Sequence, residues 1–324
     1  MSNHFTTKIL ITGGAGFIGC NLARYFVVKG YEVVVLDNFS TGFKRNIADL
    51  LPLMNFTLIE GDITDYDTCL KATEGVHYVL HHAALGSVTR SIAFPLATNK
   101  VNVDGFLNVM QACVANKVQR FVYASSSSVY GSDTTMPKVE QTTGSLLSPY
   151  AATKKANEMY ADVYSRTYNL ETIGLRYFNV FGNYQNPLGQ YAAVIPLFIQ
   201  SLLKQEQPTI YGDGENTRDF TYVQNVVRAN VCAIEADMST QNSIVCNVAY
   251  GSTISINNLF NTIAQTLGIT NIKPVYATPR KGDIKDSYAN IALAKRLLNY
   301  QSEVDVEEGL KRTVAFYQHH KVEY

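Results

Sequence analysis

A short apolar run, Lys8–Thr12 (KILIT), leads directly into Gly13-Gly14-Ala15-Gly16-Phe17-Ile18-Gly19, and this junction constrains the fold more than any other feature. Glycines at positions 13, 16 and 19 let the backbone turn tightly and bring its N–H groups against a ligand. They also let the following helix, read over Phe17–Lys29, pack closely on the strand. A helix N-terminus in that position carries partial positive charge and suits a phosphate. Strand, glycine turn and helix together form the opening of a βαβ unit, which predicts a parallel sheet.

The first half of the chain repeats the pattern. Val33–Asp37, Thr57–Glu60, Tyr78–His82 and Arg120–Ser125 read as further strands, with helices at Asp65–Thr73 and Leu96–Ala115. Their hydrophobicity is continuous rather than alternating, as in strands covered on both faces. The expected fold class is therefore α/β, with a doubly wound parallel-sheet Rossmann domain. After Arg176 the pattern loosens. Helices are predicted at Ala192–Lys204, Val223–Ala236, Ser255–Leu267, Ile291–Leu298 and Val306–His319, with short strands near Thr209–Tyr211 and Ile244–Ala249. A length of 324 residues has room for two coupled domains. We read residues 1–180 as the dinucleotide domain and 181–324 as a smaller α/β substrate domain, some of whose segments return to the first sheet.

Charge narrows the partners. Lys plus Arg (27) equals Asp plus Glu (27), so no basic field is available to hold nucleic acid or an anionic membrane. An anionic ligand has to be met by local geometry. Cys20, Cys69, Cys113, Cys232 and Cys246 are scattered without C-x-x-C spacing. That argues against a disulfide framework or a metal site and for buried thiols in a reducing compartment. Met1–Lys8 shows no charged segment leading into an apolar one, and no run of about eighteen apolar residues occurs. The chain reads as cytoplasmic.

The glycine turn acquires a partner in Asp37, at the end of the second strand and followed by Asn38. A carboxylate there accepts from the adenine ribose hydroxyls and repels a 2′-phosphate, which favours NAD over NADP. Lys44 and Arg45 follow in a loop and read as solvated charges. Asp62 and Ile63, after the third strand, are placed to meet the adenine.

Tyr150 and Lys154 stand at i and i+4 on a helix opened by Pro149, so they share one face. A phenol is a poor base at neutral pH, but an ammonium one turn away favours the phenolate. Ser125-Ser126-Ser127-Ser128 ends a predicted strand at the carboxyl edge of the sheet, where ligands bind in open α/β folds. A hydroxyl there can share a substrate oxygen with Tyr150.

With these residues the chain resembles the extended short-chain dehydrogenase/reductases over nearly its full length. The likeness includes Asn102 in Asn-Val-Asp-Gly, Ser128-Val129-Tyr130-Gly131, Arg176-Tyr177-Phe178-Asn179, Tyr211-Gly212-Asp213-Gly214, Arg218-Asp219-Phe220 and Arg280-Lys281-Gly282-Asp283. Within that family it is most similar to the UDP-N-acetylglucosamine 4-epimerases of bacterial surface-polysaccharide pathways. His82-Ala83-Ala84-Leu85-Gly86-Ser87-Val88 with Arg90-Ser91, Leu147-Ser148-Pro149-Tyr150-Ala151 and Tyr191-Ala192-Ala193-Val194-Ile195-Pro196 carry that likeness. Relatives there often have Gln in place of His82 and Pro in place of Thr89.

The resemblance implies roles. Tyr150 would be the base and acid, Ser126 its hydrogen-bonding partner, and Lys154 would tune Tyr150 and hold the ribose. Gly13, Gly16, Phe17, Ile18, Gly19, Asp37, Asn38, Asp62, Ile63, Ala83, Ala84, Asn102, Lys154 and Tyr177 would contact NAD. Gly86, Ser87, Arg90, Ser126 and Ser128 would lie along the sugar. Asn179, Val194, Tyr211, Arg218, Arg280 and Asp283 would hold the UDP. Arg offers paired donors to a diphosphate, and a carboxylate accepts from ribose hydroxyls.

Sugar dehydratases of this fold carry Thr-Asp-Glu before Val-Tyr-Gly, and sugar-acid decarboxylases carry Glu directly before it. Serines occupy those positions here, so epimerisation is the expected reaction, through a 4-keto sugar that presents its other face to the returning hydride. Ser287 matches a position where Tyr excludes N-acetyl sugars, and a serine leaves room for the acetamido group. A 4-epimerase of a UDP-N-acetylhexosaminuronate, whose carboxylate Arg90 would meet, and a UDP-glucose/UDP-galactose epimerase are the alternatives. A non-catalytic NAD sensor is a more remote one, since such proteins lose the Tyr or the Lys. The family's members pair through helices corresponding to Leu96–Ala115 and Tyr150–Tyr168, which implies a homodimer.

Overall fold

The computed structural model describes residues 7–187, 193–279 and 286–320. The first half alternates strand and helix: β1 (Lys8–Thr12), α1 (Phe17–Val28), β2 (Glu32–Asp37), β3 (Phe56–Glu60), α2 (Tyr66–Ala72), β4 (Tyr78–His81), α3 (Val88–Ala93), α4 (Pro95–Asn99), α5 (Gly105–Ala115), β5 (Arg120–Ser126), α6 (Pro149–Tyr168) and β6 (Glu171–Tyr177). The second half holds β7 (Val180–Phe181), α7 (Val194–Leu203), β8 (Thr209–Tyr211), β9 (Thr217–Arg218), β10 (Thr221–Tyr222), α8 (Val223–Glu235), β11 (Ser243–Val248), β12 (Ile254–Ser255), α9 (Ile256–Leu267), β13 (Val275–Ala277), β14 (Asp286–Ser287), α10 (Ala292–Leu298) and α11 (Val306–His319).

Seven strands form one parallel sheet in the order β11-β6-β5-β4-β1-β2-β3. The apolar runs of β1, β2 and β5 are buried nearly throughout, as continuous hydrophobicity requires, while β3 at the edge is partly exposed. One apolar layer lies under α1 and α8, with Phe26, Ile173, Val226 and Tyr300 in it; the other lies under α2 and α5, with Phe106, Met110, Phe121 and Tyr123. A third cluster, including Phe198, Phe220, Phe260 and Leu310, is closed by α7, α9 and α11. Phe17 and Val180 pack against it from the sheet side.

The sequence reading omits the short strands β7, β9, β10, β12, β13 and β14 and differs around the main sheet as well. The helix expected over Leu96–Ala115 is α4 and α5 joined by a π-helical segment, Lys100–Asp104. The short α3 before it has no counterpart in the sequence reading; Ser87 and Pro95 punctuate a stretch too brief to show a period. Nor does β6, because Gly174 and Arg176 interrupt its apolar run. Both are internal: Gly174 leaves space for the Tyr123 ring, and Arg176 is neutralised by Glu158. β11, far along the chain, pairs with β6 and extends the first sheet.

Candidate active site

The strand order reverses between β1 and β4, and a cavity of about 670 Å³ opens above their carboxyl ends. Gly13, Gly16, Phe17, Ile18 and Gly19 line it. Gly13 has φ +70, and a Cβ on it would come 2.7 Å from the Ala83 nitrogen; one on Gly19 would collide with the Gly13 carbonyl. The start of α1 has no side-chain cap and no acidic residue in its first turn, so its N–H groups are open to an anion. A smaller cavity of about 70 Å³ continues from it, lined by Asp37, Asn38, Ile63, Ala83 and Ala84. Asp37 is buried, and its carboxylate accepts from Ala15 N (2.9 Å) and Phe39 N (2.8 Å). Burial raises its pKa against those two bonds. A bare helix terminus, a cradle a Cβ would fill and a buried carboxylate fit a dinucleotide.

Other predicted contacts support this wall from behind. Asn38 Nδ2 donates to Asp62 at 2.7 Å. Burial opposes the charge of Asp62, but bonds from Thr64 and Asn38 outweigh it and hold its pKa low. Asn102 does not face the cavity; its amide is taken up by the backbone of Leu85 (2.8 and 3.2 Å) and by Thr153. Gly86 lines the main cavity, whereas Ser87 caps α3 by accepting from Arg90 N at 3.1 Å. Neither Ser87 nor Arg90 lines it. Arg45 lies over the Phe43 ring at 4.3 Å.

Ser148 caps α6 by accepting from Ala151 N, and Pro149 opens its first turn. This aims Tyr150 and Lys154 into the main cavity, opposite Ser126 and Ser128 at the end of β5. Ser128 Oγ is buried with no hydrogen-bond partner among the described residues. The Lys154 ammonium donates to the Ala124 carbonyl at 2.8 Å and lies 6.0 Å from the centre of the Tyr150 ring. Burial pushes Lys154 down to about 8. Burial also raises Tyr150, while its hydrogen bond with Ser126 acts the other way. Burial thus opposes the phenolate, while Lys154 at about 8 keeps most of its charge at neutral pH and remains the ammonium that the sequence suggests.

His82 stands out in the sequence only as a departure from relatives, and here it is a wall of both cavities. Its ring stacks on Tyr177, with Nε2 2.9 Å from the phenol oxygen, and Asn230 Nδ2 donates to the same oxygen at 2.9 Å. Burial drives His82 down to about 3, so the imidazole is neutral. Behind Ser126, the Ser125 hydroxyl donates to Glu158, which is paired with Arg176 at 2.8 Å. This buried cluster fastens α6 to β5 and β6.

A second cavity of about 520 Å³ adjoins the first, with Asn179 and Arg218 in the lining of both. Val194 and Tyr211 line it with Phe198, Ile210 and Phe220, an apolar slot suited to a flat ring beside a guanidinium. Ser287 lines the main cavity from β14, next to Asp286, whose carboxylate accepts from Thr217 at 2.6 Å. Lys138, which sequence reasoning misses, also lines the main cavity, with its ammonium 3.0 Å from Asp133. It sits in an irregular loop, where no period marks it. Arg280 and Asp283 lie outside the described residues. Among the described residues no cluster could hold a metal ion, and no helix is long and apolar enough to cross a membrane.

A family model described as the NAD dependent epimerase/dehydratase family matches residues 9–249. A putative UDP-glucose 4-epimerase of Methanocaldococcus jannaschii is 37% identical over 308 residues, 94% of this chain and 97% of its own length. The structure of a UDP-N-acetylglucosamine 4-epimerase from Methanobrevibacter ruminantium M1, in complex with UDP-N-acetylmuramic acid, superposes with a TM-score of 0.91 at 38% identity, covering 97% of this chain and 98% of that one. The Thermus thermophilus UDP-glucose 4-epimerase in complex with NAD gives 0.84 at 31% identity, over 96% and 99%.

Proposed function

This chain belongs to the NAD dependent epimerase/dehydratase family, and from that premise we propose that it inverts C4 of a UDP-N-acetylhexosamine, interconverting UDP-N-acetylglucosamine and UDP-N-acetylgalactosamine. It is an NAD-dependent epimerase of the UDP-sugar type. NAD held at the glycine turn would supply a hydride acceptor and donor for C4, with no net redox change. The chain's own part is to orient the sugar and move one proton. Tyr150 takes the proton of the C4 hydroxyl and later gives it back, with Ser126 hydrogen-bonded to it. Lys154 holds the ribose and biases Tyr150 toward the phenolate. Neutral His82, tied to Tyr177, walls off that end without adding a competing cation.

The observation that carries the reading is the meeting of Ser126, Tyr150 and Lys154 with the glycine turn in one cavity, with serines where elimination or decarboxylation would need an acid. Among the described residues, the acid that lines the cavity, Asp286, is tied to Thr217. Arg218 and Asn179 meet the diphosphate, Val194 and Tyr211 the uridine, and Ser287 leaves space for the acetamido group. Arg90, which the uronate reading would use, lines neither cavity. The protein pairs as a homodimer through the helices of Leu96–Ala115 and Tyr150–Tyr168, on or beside which Ile92, Phe94, Leu96 and Met159 are 61–85% exposed.

Purified protein incubated with UDP-N-acetylglucosamine and no added cofactor should yield UDP-N-acetylgalactosamine on chromatography. Tyr150→Phe should lower kcat by about 10³-fold while still binding UDP. No product, even with NAD supplied, would end the N-acetylhexosamine assignment.

A further inference from the structure

Asp219 lines neither large cavity, yet it is completely buried between the segments that build them. Its Oδ1 accepts from Tyr250 N at 3.2 Å, and its Oδ2 from Gly251 N at 3.2 Å and Ala289 N at 3.3 Å. The Gly251 N–H also reaches Oδ1, at 3.3 Å. The main chain of the same residue continues the pattern. Its N–H donates to the Ser287 carbonyl at 2.9 Å, and its carbonyl accepts from Asn179 Nδ2 at 2.9 Å. Arg218 precedes it on β9, where it pairs in register with Ser287 of β14.

Three residues of the nucleotide-sugar cleft, Asn179, Arg218 and Ser287, thus stand one bond from Asp219. They come from three separate stretches of chain, after β6, on β9 and on β14; β9 and β14 pair with each other, and the main chain of Asp219 links Asn179 to them. The carboxyl adds a further brace by drawing the turn after β11 and the residue after Tyr288 onto the same point. Once ionised, above about pH 7, the carboxyl accepts on both oxygens and serves donors on both sides. An amide of the same shape would turn an NH₂ group toward one of the N–H donors.

We propose that Asp219 is a positioning residue for the nucleotide-sugar cleft, setting the spacing of Asn179, Arg218 and Ser287 without touching the ligand. This rests on the reading that the cleft takes a UDP-sugar. Misplacing a binding group by a fraction of an ångström weakens ligand binding and leaves the proton-transfer residues of α6 where they are.

The test is Asp219→Asn in the NAD-loaded protein, with UDP affinity measured by calorimetry and kinetics measured on UDP-N-acetylglucosamine. The UDP Kd and the KM should both rise about tenfold, with kcat within about twofold of wild type and the NAD content unchanged. Unchanged UDP affinity in a folded variant would overturn the proposal, as would a fall in kcat at constant KM. A second measurement needs no variant. Hydrogen exchange of the 249–251 segment, which lines neither cavity, should slow in the wild type when UDP is added. Exchange there that ignores UDP would overturn the brace. A wild type that binds no UDP would instead end the reading of the cleft on which the proposal rests.

Discussion

At the scale of single residues, side-chain volume and desolvation decide what this cleft does. Ser287 lines the main cavity, where a larger side chain would take up space, and on the proposed reading it limits the size of the sugar. Ser287→Tyr should suppress turnover of UDP-N-acetylglucosamine by about tenfold more than that of UDP-glucose, read as a ratio of kcat/KM values. Equal loss on both sugars would remove Ser287 from the specificity argument. Desolvation acts on Asp219, whose pKa burial raises from 3.8 to about 7 against three backbone N–H bonds. Between those values the native state binds a proton that the unfolded chain does not. Its contribution to stability is therefore full below about pH 4 and is lost as pH climbs through 7. Relative to Asp219→Asn, which does not titrate, the wild type should lose unfolding free energy over that window, by on the order of a few kcal/mol. A flat difference from pH 4 to 8 would show that the group does not titrate there.

Among the elements, α6 carries Tyr150 and Lys154 into the main cavity and is held by more than its own propensity. Ser148 and Pro149 start it, Asn169 in the left-handed region ends it, and the Glu158–Arg176 pair pins its middle to β6. Glu158 sits one turn beyond Lys154, so the same cluster that fixes the helix fixes the lysine. Both charges are buried, at 5% and 3% exposure, and neither can be left alone cheaply. Glu158→Gln should cost about 3 kcal/mol in urea unfolding, because Arg176 keeps its charge and loses its partner. It should also lower kcat, since one amide oxygen cannot accept from Arg176 on both sides and hold Ser125 next to Ser126 as the carboxylate does. The i, i+4 spacing of Tyr150 and Lys154 was legible in the sequence. The bracing of their helix was not, because Glu158 and Arg176 belong to different elements.

For the whole molecule, the exposed apolar residues around α3, α4 and α6 are the surface that the proposed pairing would cover. Leu96 is 85% exposed, and Ile92 of α3, Met159 of α6 and Phe94 between α3 and α4 are exposed beside it. Phe94→Glu combined with Leu96→Glu should convert a dimer to a monomer in light scattering coupled to gel filtration. A wild type that is already monomeric would remove the pairing. The two cavities are also whole-molecule properties, since they are assembled from β5, α6, β9, β14 and the loops after β4 and β6.

The sequence by itself determined the parallel sheet, the glycine turn with Asp37, and the single-face pairing of Tyr150 with Lys154. Each of these is a local pattern, in which spacing along the chain equals spacing in space. Only the tertiary structure decided the rest. Asn102 braces Leu85 behind the cavity wall, and Ser87 caps a helix. His82 joins Tyr177 and Tyr177 joins Asn230, across 95 and 53 positions of sequence separation. Lys138 reaches the main cavity from an irregular loop, and Asp219 ties segments that meet only after folding. Long-range contacts and burial set hydrogen-bond partners and charge states, and neither is written in a periodicity.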